Sequence, residues 1–449
     1  MPAHENEAHR ARVEAIAAEV RERVRRGEPV HIQKGGVHHF VPLPGDRRFA
    51  GRAVDISGLD RVLDIDVAAA RCVVEPGVTF AALVAATLPH GLVPAVVPEL
   101  EGITAGGAVA GCSVESMSFR HGGFHDTCTE YEVVTGDGRV LVCSPEQDPE
   151  LFHMIHGSYG TLAILTRITL RLVPAKRHVH LRYRRFDDAP SFDAALRSIV
   201  AEGREDFVDG IIHGEGPGDF VLCLGRFVDV APYTSSYRWL DIYYRSTRRR
   251  DEDYLTTPDY LFRYDTECHW LTRTLPPLEW KPVRLLLGKH VLGSENLIRW
   301  SKRLEPLLGL QRRPDVVVDV FVPARNLGTF LRWYAAEFRF YPLWVVPYRV
   351  PVPYPWVARE HAARFRDELL VDCAVYGKRN NEPGRDFSQL LEEKTYELDG
   401  IKTLISRNHH SRERFWQIYD EPAYRAAKAR LDPKGVFADL YDKFHPERR

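Results

Sequence analysis

The hydrophobic pattern of the first 175 residues predicts a helix followed by short strands. Residues 1–26 place apolar side chains at helical spacing among Glu and Arg, which indicates an amphipathic helix. Thr79 is placed to cap a second helix over residues 80–88. Runs rich in β-branched residues, separated by Gly, Pro and Asp, predict strands at residues 30–33, 53–56, 62–66, 72–74, 128–135, 139–143 and 161–172.

The pattern changes after Pro174. Tyr, Trp, His and Arg become frequent, and strand-like runs at 316–322 and 343–350 alternate with helical runs at 188–202 and 326–339. Such a mixture predicts an α+β domain on an antiparallel sheet. A chain of 449 residues is also longer than one core usually serves. We therefore predict a first domain over 1–175, a second over 176–400, and a C-terminal segment over 401–449 that returns to the first.

Charge and cysteine usage argue against several functions. Lys plus Arg number 61 against 62 Asp plus Glu, so no overall basic field would attract nucleic acid. The seven cysteines are scattered without the close pairs of a metal site, which indicates reduced thiols, no bound metal and a cytoplasmic location. The longest apolar stretch, residues 81–97, is broken by Pro89 and Pro94. We expect no transmembrane segment, so any membrane contact would be peripheral.

The densest glycine pattern lies between Pro98 and Gly138. Gly106-Gly107 and Gly111 follow Thr104, and Gly122-Gly123 follows His121. Glycine loses much chain entropy on folding, so this density is best explained where backbone amides run close to phosphate oxygens. The three-glycine fingerprint of a Rossmann turn is absent from the sequence. The pattern thus points to a dinucleotide that is bound in another way.

Several ordered motifs resemble the FAD-binding domain of the vanillyl-alcohol-oxidase type, also called the p-cresol-methylhydroxylase (PCMH) type. They are Lys34-Gly35-Gly36-Val37-His38-His39, Val73 to Thr79, Thr104 to Gly111, and Gly157-Ser158-Tyr159-Gly160-Thr161-Leu162. The resemblance implies a two-domain α+β fold, in which two glycine-containing loops wrap the FAD pyrophosphate. It also implies an α+β substrate (cap) domain built on an antiparallel sheet.

Within that superfamily the chain is most similar to the 24-dehydrocholesterol reductase (Diminuto) family. The segments that carry this similarity include Val97-Pro98-Glu99-Leu100, His121-Gly122-Gly123-Phe124, Cys128 to Glu132, Tyr341-Pro342-Leu343-Trp344 and Ala374-Val375-Tyr376-Gly377. The similarity implies FAD-dependent reduction of a carbon–carbon double bond in a sterol-like or isoprenoid-like substrate, with NADPH as a candidate electron donor. Many superfamily members attach FAD covalently through a histidine of the first loop. Here Val37 displaces His38 from that position, so we expect noncovalent FAD.

The resemblance also implies which residues contact the cofactor. The glycine pairs would offer backbone amides to the pyrophosphate, and Gly160 with Ile164 would lie on the adenine or ribityl side. A single glycine is better explained by an ordinary role in a turn, but two glycine pairs at the family's spacing favour ligand contact. For His121 a role in a turn and a place near the flavin explain the residue equally well. The implied cofactor contacts are Lys34, Gly35, Gly36, Val37, His38, Pro98, Thr104, Gly106, Gly107, Gly111, Ser113, His121, Gly160 and Ile164.

Reduction of an isolated alkene needs a proton donor in addition to a hydride donor. Tyr264 and Tyr341 are our candidates for this group. Taken singly, each is better explained as a residue of the sheet core. They belong to a wider set of aromatic and His side chains that also includes Tyr260, His269, Trp270, Trp344 and Tyr376.

The segment Arg407-Asn408-His409-His410 departs from the sterol enzymes, which have an acidic residue, Cys and Tyr at the first three places. His409 or His410 is a candidate base for removing a hydroxyl proton, which is alcohol-oxidation chemistry. One alternative is therefore an FAD-dependent sugar or alcohol oxidase or dehydrogenase of the same superfamily. A second alternative, of another class, is a non-catalytic flavin-binding partner protein.

Overall fold

The computed structural model describes residues 3–35, 47–267, 271–274, 276–294, 296, 299–300, 315–365 and 369–445. The first domain contains eight strands: β1 (Val30–Gln33), β2 (Arg52–Asp55), β3 (Val62–Asp66), β4 (Arg71–Val74), β5 (Leu92–Pro94), β6 (Cys128–Thr135), β7 (Val140–Cys143) and β8 (Ala163–Pro174). Its helices are α1 (Ala3–Arg26), α2 (Phe80–Thr87), α3 (Ala105–Gly111), α4 (Ser118–His121) and α5 (Pro149–Ile155).

Strand β8 is the centre of the first domain. An antiparallel sheet runs in the order β3-β4-β8-β6-β7, and β5 also pairs with β8, while β1 and β2 form a separate parallel pair. The amphipathic helix α1 joins the two parts, because its apolar residues Val13 and Val20 share a core with Val30, Val134 and Ile164. Burial of this stripe explains why the N-terminal segment folds as a helix.

The second domain is built on one eight-stranded sheet that is antiparallel throughout. Its strands are β9 (His178–Phe186), β10 (Phe207–Ile212), β11 (Phe220–Val228), β12 (Glu252–Thr256), β13 (Val316–Pro323), β14 (Leu343–Arg349), β15 (Leu369–Lys378) and β16 (Ile401–Lys402). They lie in the order β12-β9-β11-β10-β14-β15-β13-β16. The helices are α6 (Ala189–Glu202), α7 (Tyr243–Ser246), α8 (Thr257–Leu261), α9 (Lys281–Leu292), α10 (Leu327–Trp333), α11 (Arg359–Ala362) and α12 (Phe387–Glu397).

The two faces of this sheet have different partners. On one face Val320 and Cys373 pack with residues of α6, α10 and α12 in a closed core. On the other face Trp344 and Val346 share a core with the first domain, and Phe321 packs near Val114. The second face is thus the one that meets the glycine-rich loops. The expected α+β class, with an antiparallel sheet in the second domain, is confirmed.

The C-terminal segment forms α13 (Arg412–Ile418), α14 (Glu421–Leu431) and α15 (Leu440–Phe444). It returns to the first domain, where Lys443 Nζ donates to the carbonyl of Tyr159 at 2.6 Å and Val30 pairs with Phe437. Among the described helices, none is long and apolar enough to cross a bilayer.

Candidate active site

The loop that precedes α3 brings three hydrogen-bond donors together. Thr104 caps α3, and its Oγ1 accepts from the backbone N–H of Gly107 at 3.4 Å. Lys34 Nζ, at the end of β1, approaches the same Oγ1 at 3.4 Å. An ammonium group, a hydroxyl and a backbone amide in one place form a donor set that suits phosphate oxygens. Lys34, Thr104 and Gly107 therefore fit the pyrophosphate of FAD.

The two glycines of the pair have different surroundings. A Cβ on Gly107 would lie 3.1 Å from Thr104 Oγ1 and 3.6 Å from Lys34 Nζ, so this glycine keeps the donor cluster open. A Cβ on Gly106 would lie 2.6 Å from Pro76 Cβ instead, and the Gly106 N–H donates to the Pro76 carbonyl at 2.8 Å. The requirement for glycine at 106 thus comes from close packing of two chain segments, which is a different reason from the phosphate contact that the sequence suggested.

The other residues that we expected to contact the cofactor lie either in turns or in the hydrophobic core. Gly160 has φ +70° and its missing Cβ would lie 2.7 Å from Ile32 Cδ1, so β8 starts close to β1. Gly111 lies beside Tyr159, with 3.8 Å from a Cβ to Tyr159 Cε1. Ile164 is fully buried in the core under α1, which leaves only its backbone for a ligand.

Three further expected contacts have structural partners. The Ser113 N–H donates to Ala108 at 3.0 Å, and the Ser113 carbonyl accepts from Phe124 at 2.8 Å. Pro98 is buried, and a Cβ on Gly35 would meet Ser57 at 3.5 Å. Gly36, Val37 and His38, together with His269 and Trp270, lie outside the described residues. Their assigned roles stay predictions.

A cluster of acidic side chains lies where the open face of the second sheet meets the first domain. Asp319 on β13 and Asp372 on β15 are on the same face, and Glu99 comes from the loop between β5 and α3. All three lie close enough to interact electrostatically, and Glu99 and Asp372 are buried. Tyr376 donates to Asp319 Oδ1 at 2.5 Å, and Thr403 N–H donates to the Asp319 carbonyl at 3.0 Å.

Asp372 is the carboxyl in this cluster whose surroundings most favour the protonated form. Burial raises the pKa of Asp372 well above its usual range, and the nearby Asp319 and Glu99 carboxyls raise it further. Both of its oxygens are buried without a hydrogen-bond partner in the part of the chain that the structure describes. The same surroundings raise the pKa of the Tyr376 hydroxyl, with burial as the first cause. A neutral carboxylic acid at pH 7 can serve as a proton donor.

Tyr264 lies away from this cluster, in a buried network that joins the two domains. Arg263 Nη2 donates to Glu115 Oε1 at 2.7 Å and approaches Asp209 Oδ2 at 3.3 Å. Tyr264 OH and Trp344 Nε1 also donate to that Asp209 oxygen, at 3.3 and 2.9 Å. Tyr264 is fully buried within this network. Its contacts fit a role in holding the domains together.

Tyr341 and His121 also lie apart from the acidic cluster. Tyr341 precedes β14, and its hydroxyl donates to Glu215 at 3.4 Å. His121 ends α4 near Arg120, Arg171 and Asp206, and burial lowers its pKa to about 4. Arg171 is seven residues beyond Ile164 on β8, roughly 23 Å along an extended strand. His121 is thus far along β8 from the loop at Gly160, and its expected place near the flavin stays a prediction.

His409 and His410 form a second polar cluster with Glu392 of α12. The His409 N–H donates to Glu392 Oε1 at 2.8 Å, and His410 Nδ1 lies 3.5 Å from the same oxygen. Lys402 forms a close ion pair with Glu392. Burial lowers the pKa of His409 to about 4, although Glu392 opposes this. Both imidazoles are neutral at pH 7 and suit a base better than an acid, because burial also lowers the pKa of His410.

A third cluster, His125, Asp126 and His156, was not anticipated from the sequence. Possible ligand atoms of the three lie within 4.8 Å of one another. Asp126 Oδ2 accepts from the Gly123 N–H and from Tyr354 OH, each at 2.7 Å. The cluster is therefore already part of a hydrogen-bonded group that joins the first domain to Tyr354 of the second.

The acidic residues of the site were also missed by the sequence analysis. Asp319 and Asp372 each occupy a place in a strand where the neighbouring residues are apolar: Val318 and Val320, Val371 and Cys373. A charged residue inside an apolar strand is the signal that was available, because burial of a carboxyl is costly without a function or a partner. Only the fold brings the two strands and Glu99 together.

Comparisons with known proteins agree with this geometry. A family model described as "FAD binding domain" matches residues 9–144. Delta(24)-sterol reductase of Homo sapiens is 27% identical over 454 residues, which covers 97% of this chain and 86% of the relative. Delta(24)-sterol reductase of Arabidopsis thaliana is 23% identical over 436 residues, or 88% and 77% of the two chains. Cytokinin dehydrogenase 9 of Oryza sativa subsp. japonica is 34% identical over 127 residues, 28% and 24% of the two.

The matched residues of the family model include β1, the Thr104 loop and α3, which are the elements that carry the donor cluster. The expected FAD-binding domain and the expected similarity to sterol reductases are confirmed. The chain is an FAD-dependent oxidoreductase whose sequence is similar, over nearly its whole length, to Delta(24)-sterol reductases.

Proposed function

We propose that this protein reduces a carbon–carbon double bond of an apolar, sterol-like or isoprenoid-like substrate. The observation that carries the proposal is the buried carboxyl of Asp372, whose two oxygens have no hydrogen-bond partner among the described residues and which lies on the sheet face that meets the FAD-binding loops. The names of its relatives in animals and plants support the substrate class. The six described free cysteines and the lack of a spanning helix among the described helices are in keeping with our proposal of a cytoplasmic protein that meets membranes only peripherally.

Saturation of an alkene adds one hydride and one proton to neighbouring carbons. When bound, reduced FAD supplies the hydride. We assign the proton to Asp372, because its burial beside two other carboxyls raises its pKa. Asp319 accepts a hydrogen bond from the Tyr376 hydroxyl, and its carboxyl is one of the two that raise the pKa of Asp372.

The side chains around Asp372 are mostly apolar or aromatic, which favours an apolar substrate. Phe321 is the cross-strand partner of Asp372, and its ring lies 5.5 Å from that of Tyr348. Val114 belongs to the same buried group. Aromatic faces stabilise positive charge that develops on carbon when a proton arrives first. We further propose that FAD is bound noncovalently and that NADPH is the electron donor.

The test follows the flavin absorbance in anaerobic mixing. Reduced protein is mixed with a sterol that carries a side-chain double bond, and oxidised protein with polyols and sugar alcohols. We expect the alkene to reoxidise the flavin and the polyols to leave it unchanged. Asp372→Asn should slow reoxidation by about 100-fold or more, the usual contribution of a general acid, without loss of FAD. Asp229→Asn, which changes an exposed carboxylate of the same domain, serves as the matched control.

Two outcomes would contradict the proposal. If the flavin of the Asp372→Asn variant were reoxidised at the wild-type rate, Asp372 would not be the proton donor. Bleaching of the oxidised flavin by an alcohol, with no response to any alkene, would favour alcohol oxidation. In that case His409→Gln should abolish the bleaching, since neutral His409 next to Glu392 is the base that the structure offers.

A further inference from the structure

The second domain presents a group of exposed large apolar side chains that no core explains. They are Trp239, Trp280, Leu285 and Leu286, with 47%, 61%, 57% and 85% of their surface exposed. We call this group the apolar platform. Isolated exposed apolar residues are common, but four large ones on adjoining segments mark an interaction surface.

Hydrogen bonds hold the platform together. Trp239 Nε1 donates to the Arg284 carbonyl at 2.9 Å, and Arg284 Nε donates to the Trp239 carbonyl at 2.7 Å. The Arg284 N–H also donates to the Trp280 carbonyl at 2.9 Å. Arg284 itself is fully buried. The inner side of α9 is therefore fixed by a polar anchor, and its leucines are held outward.

The segment that carries the platform has an excess of basic residues in its sequence. Between Trp280 and Trp300 the sequence places Lys281, Lys289 and Arg299 against Glu295, in addition to the buried Arg284. Lys281 is exposed and lies 3.2 Å from Asp241. Tryptophan and leucine next to basic residues are the composition of helices that lie in the interface of a bilayer with anionic lipids.

We propose that the apolar platform docks on the surface of a lipid bilayer, with Leu285 and Leu286 inserted among the acyl chains. A second copy of this chain fits the surface less well, because a two-fold contact would bring the positively charged segments against each other. The proposal rests on the proposed function for its purpose, since a sterol-like substrate resides in membranes. Membrane binding itself is measured without turnover, so failure of one proposal is distinguishable from failure of the other.

The test is co-sedimentation of the full-length, FAD-loaded protein with vesicles of phosphatidylcholine, with and without phosphatidylglycerol. We expect binding that is stronger on the anionic vesicles and weakens with salt. The double variant Leu285→Glu, Leu286→Glu should bind about tenfold more weakly or worse, because the two leucines that insert among the acyl chains are replaced by charged side chains. Val230→Glu is the matched control, since Val230 is 80% exposed elsewhere in the same domain. It should bind as the wild type does.

A second measurement uses vesicles with brominated acyl chains, which quench tryptophan that reaches the interface. Trp280→Phe should reduce this quenching while the protein keeps its FAD. Wild-type protein that stays in the supernatant with both vesicle types would overturn the proposal, and so would a double variant that binds as well as the wild type. A concentration-dependent dimer that the double variant abolishes, without vesicle binding by the wild type, would also overturn it by assigning the platform to a second copy.

Discussion

Glu75 and Asp372 are both buried carboxyls, and their pKa values move in opposite directions. Burial acts to raise the pKa of Glu75, but hydrogen bonds from His9, Arg12 and the Arg61 amide lower it below the usual value. Asp372 has no such partner among the described residues, so burial and the neighbouring carboxyls raise its pKa. The surroundings of Glu75 therefore favour its charged form, and those of Asp372 favour its protonated form.

This difference predicts how stability depends on pH. An unfolded Asp loses its proton near about pH 3.9. Above that value folded Asp372 retains its proton, so the unfolded state binds fewer protons and the free energy of unfolding falls as pH rises toward the raised pKa. Asp372→Asn lacks this titration and should gain stability relative to the wild type over the same interval. Urea denaturation of both proteins at a series of pH values, with Asp229→Asn as control, measures the effect. A stability difference that does not change with pH would refute it.

Sequence reasoning identified the cofactor side of the site better than the substrate side. Lys34, Thr104 and Gly107 belong to motifs that are short along the chain, and the structure places them together. Asp372 and Asp319 are more than fifty residues apart and meet only through the pairing of β13 with β15. The raised pKa of Asp372 and the hydrogen bond from Tyr376 to Asp319 depend on burial in the folded protein. No local sequence pattern encodes this burial.

At the start of α3, Gly106 and Gly107 have different roles: the first permits close packing and the second keeps the donor cluster open. Gly106→Val should lower the melting temperature of the protein without FAD, because the side chain collides with Pro76 at the start of α3. Gly107→Val should leave that melting temperature nearly unchanged and should reduce FAD content instead, since it crowds Thr104 and Lys34. Differential scanning calorimetry and the ratio of flavin to protein absorbance separate the two effects. Full FAD occupancy in Gly107→Val would contradict the assignment of this loop to the pyrophosphate.

Most of the helices and strands were predicted from the periodicity of apolar residues. Where the structure differs from the prediction, local packing explains the difference. The predicted strand at 30–33 and the predicted helix over 188–202 match β1 and α6 to within one residue. The helix predicted over 326–339 becomes α10 and then a wider π-type turn, Tyr334–Phe338, which ends at Arg339 in the left-handed region. Tyr334 and Phe338 are both buried there, and this packing overrides the helical pattern.

At the scale of the whole molecule, the two domains are joined by a buried charged network. Arg263 is enclosed by Glu115 of the first domain and Asp209 of the second, and lies 4.3 Å above the ring of Tyr260. Arg263→Met leaves both carboxyls without their cation, and should lower the free energy of unfolding by about 3–5 kcal/mol. Chemical denaturation measures this. Arg248→Met is the control, because that exposed arginine pairs with Asp219 and should cost less than about 1 kcal/mol. Equal effects of the two variants would contradict a special role for the network.

The return of the C-terminal segment has a consequence for how the protein is made. Val436 and Phe437 complete the core under α1, and the Val30 N–H donates to the Val436 carbonyl at 2.8 Å. The ribosome therefore synthesises β1 more than four hundred residues before Val436 and Phe437, which complete the same core. The nascent first domain has an open edge beside β1 until Val436 and Phe437 have been synthesised. We therefore expect stable cofactor binding to require this segment, and a chain that ends before Val436 to retain FAD poorly.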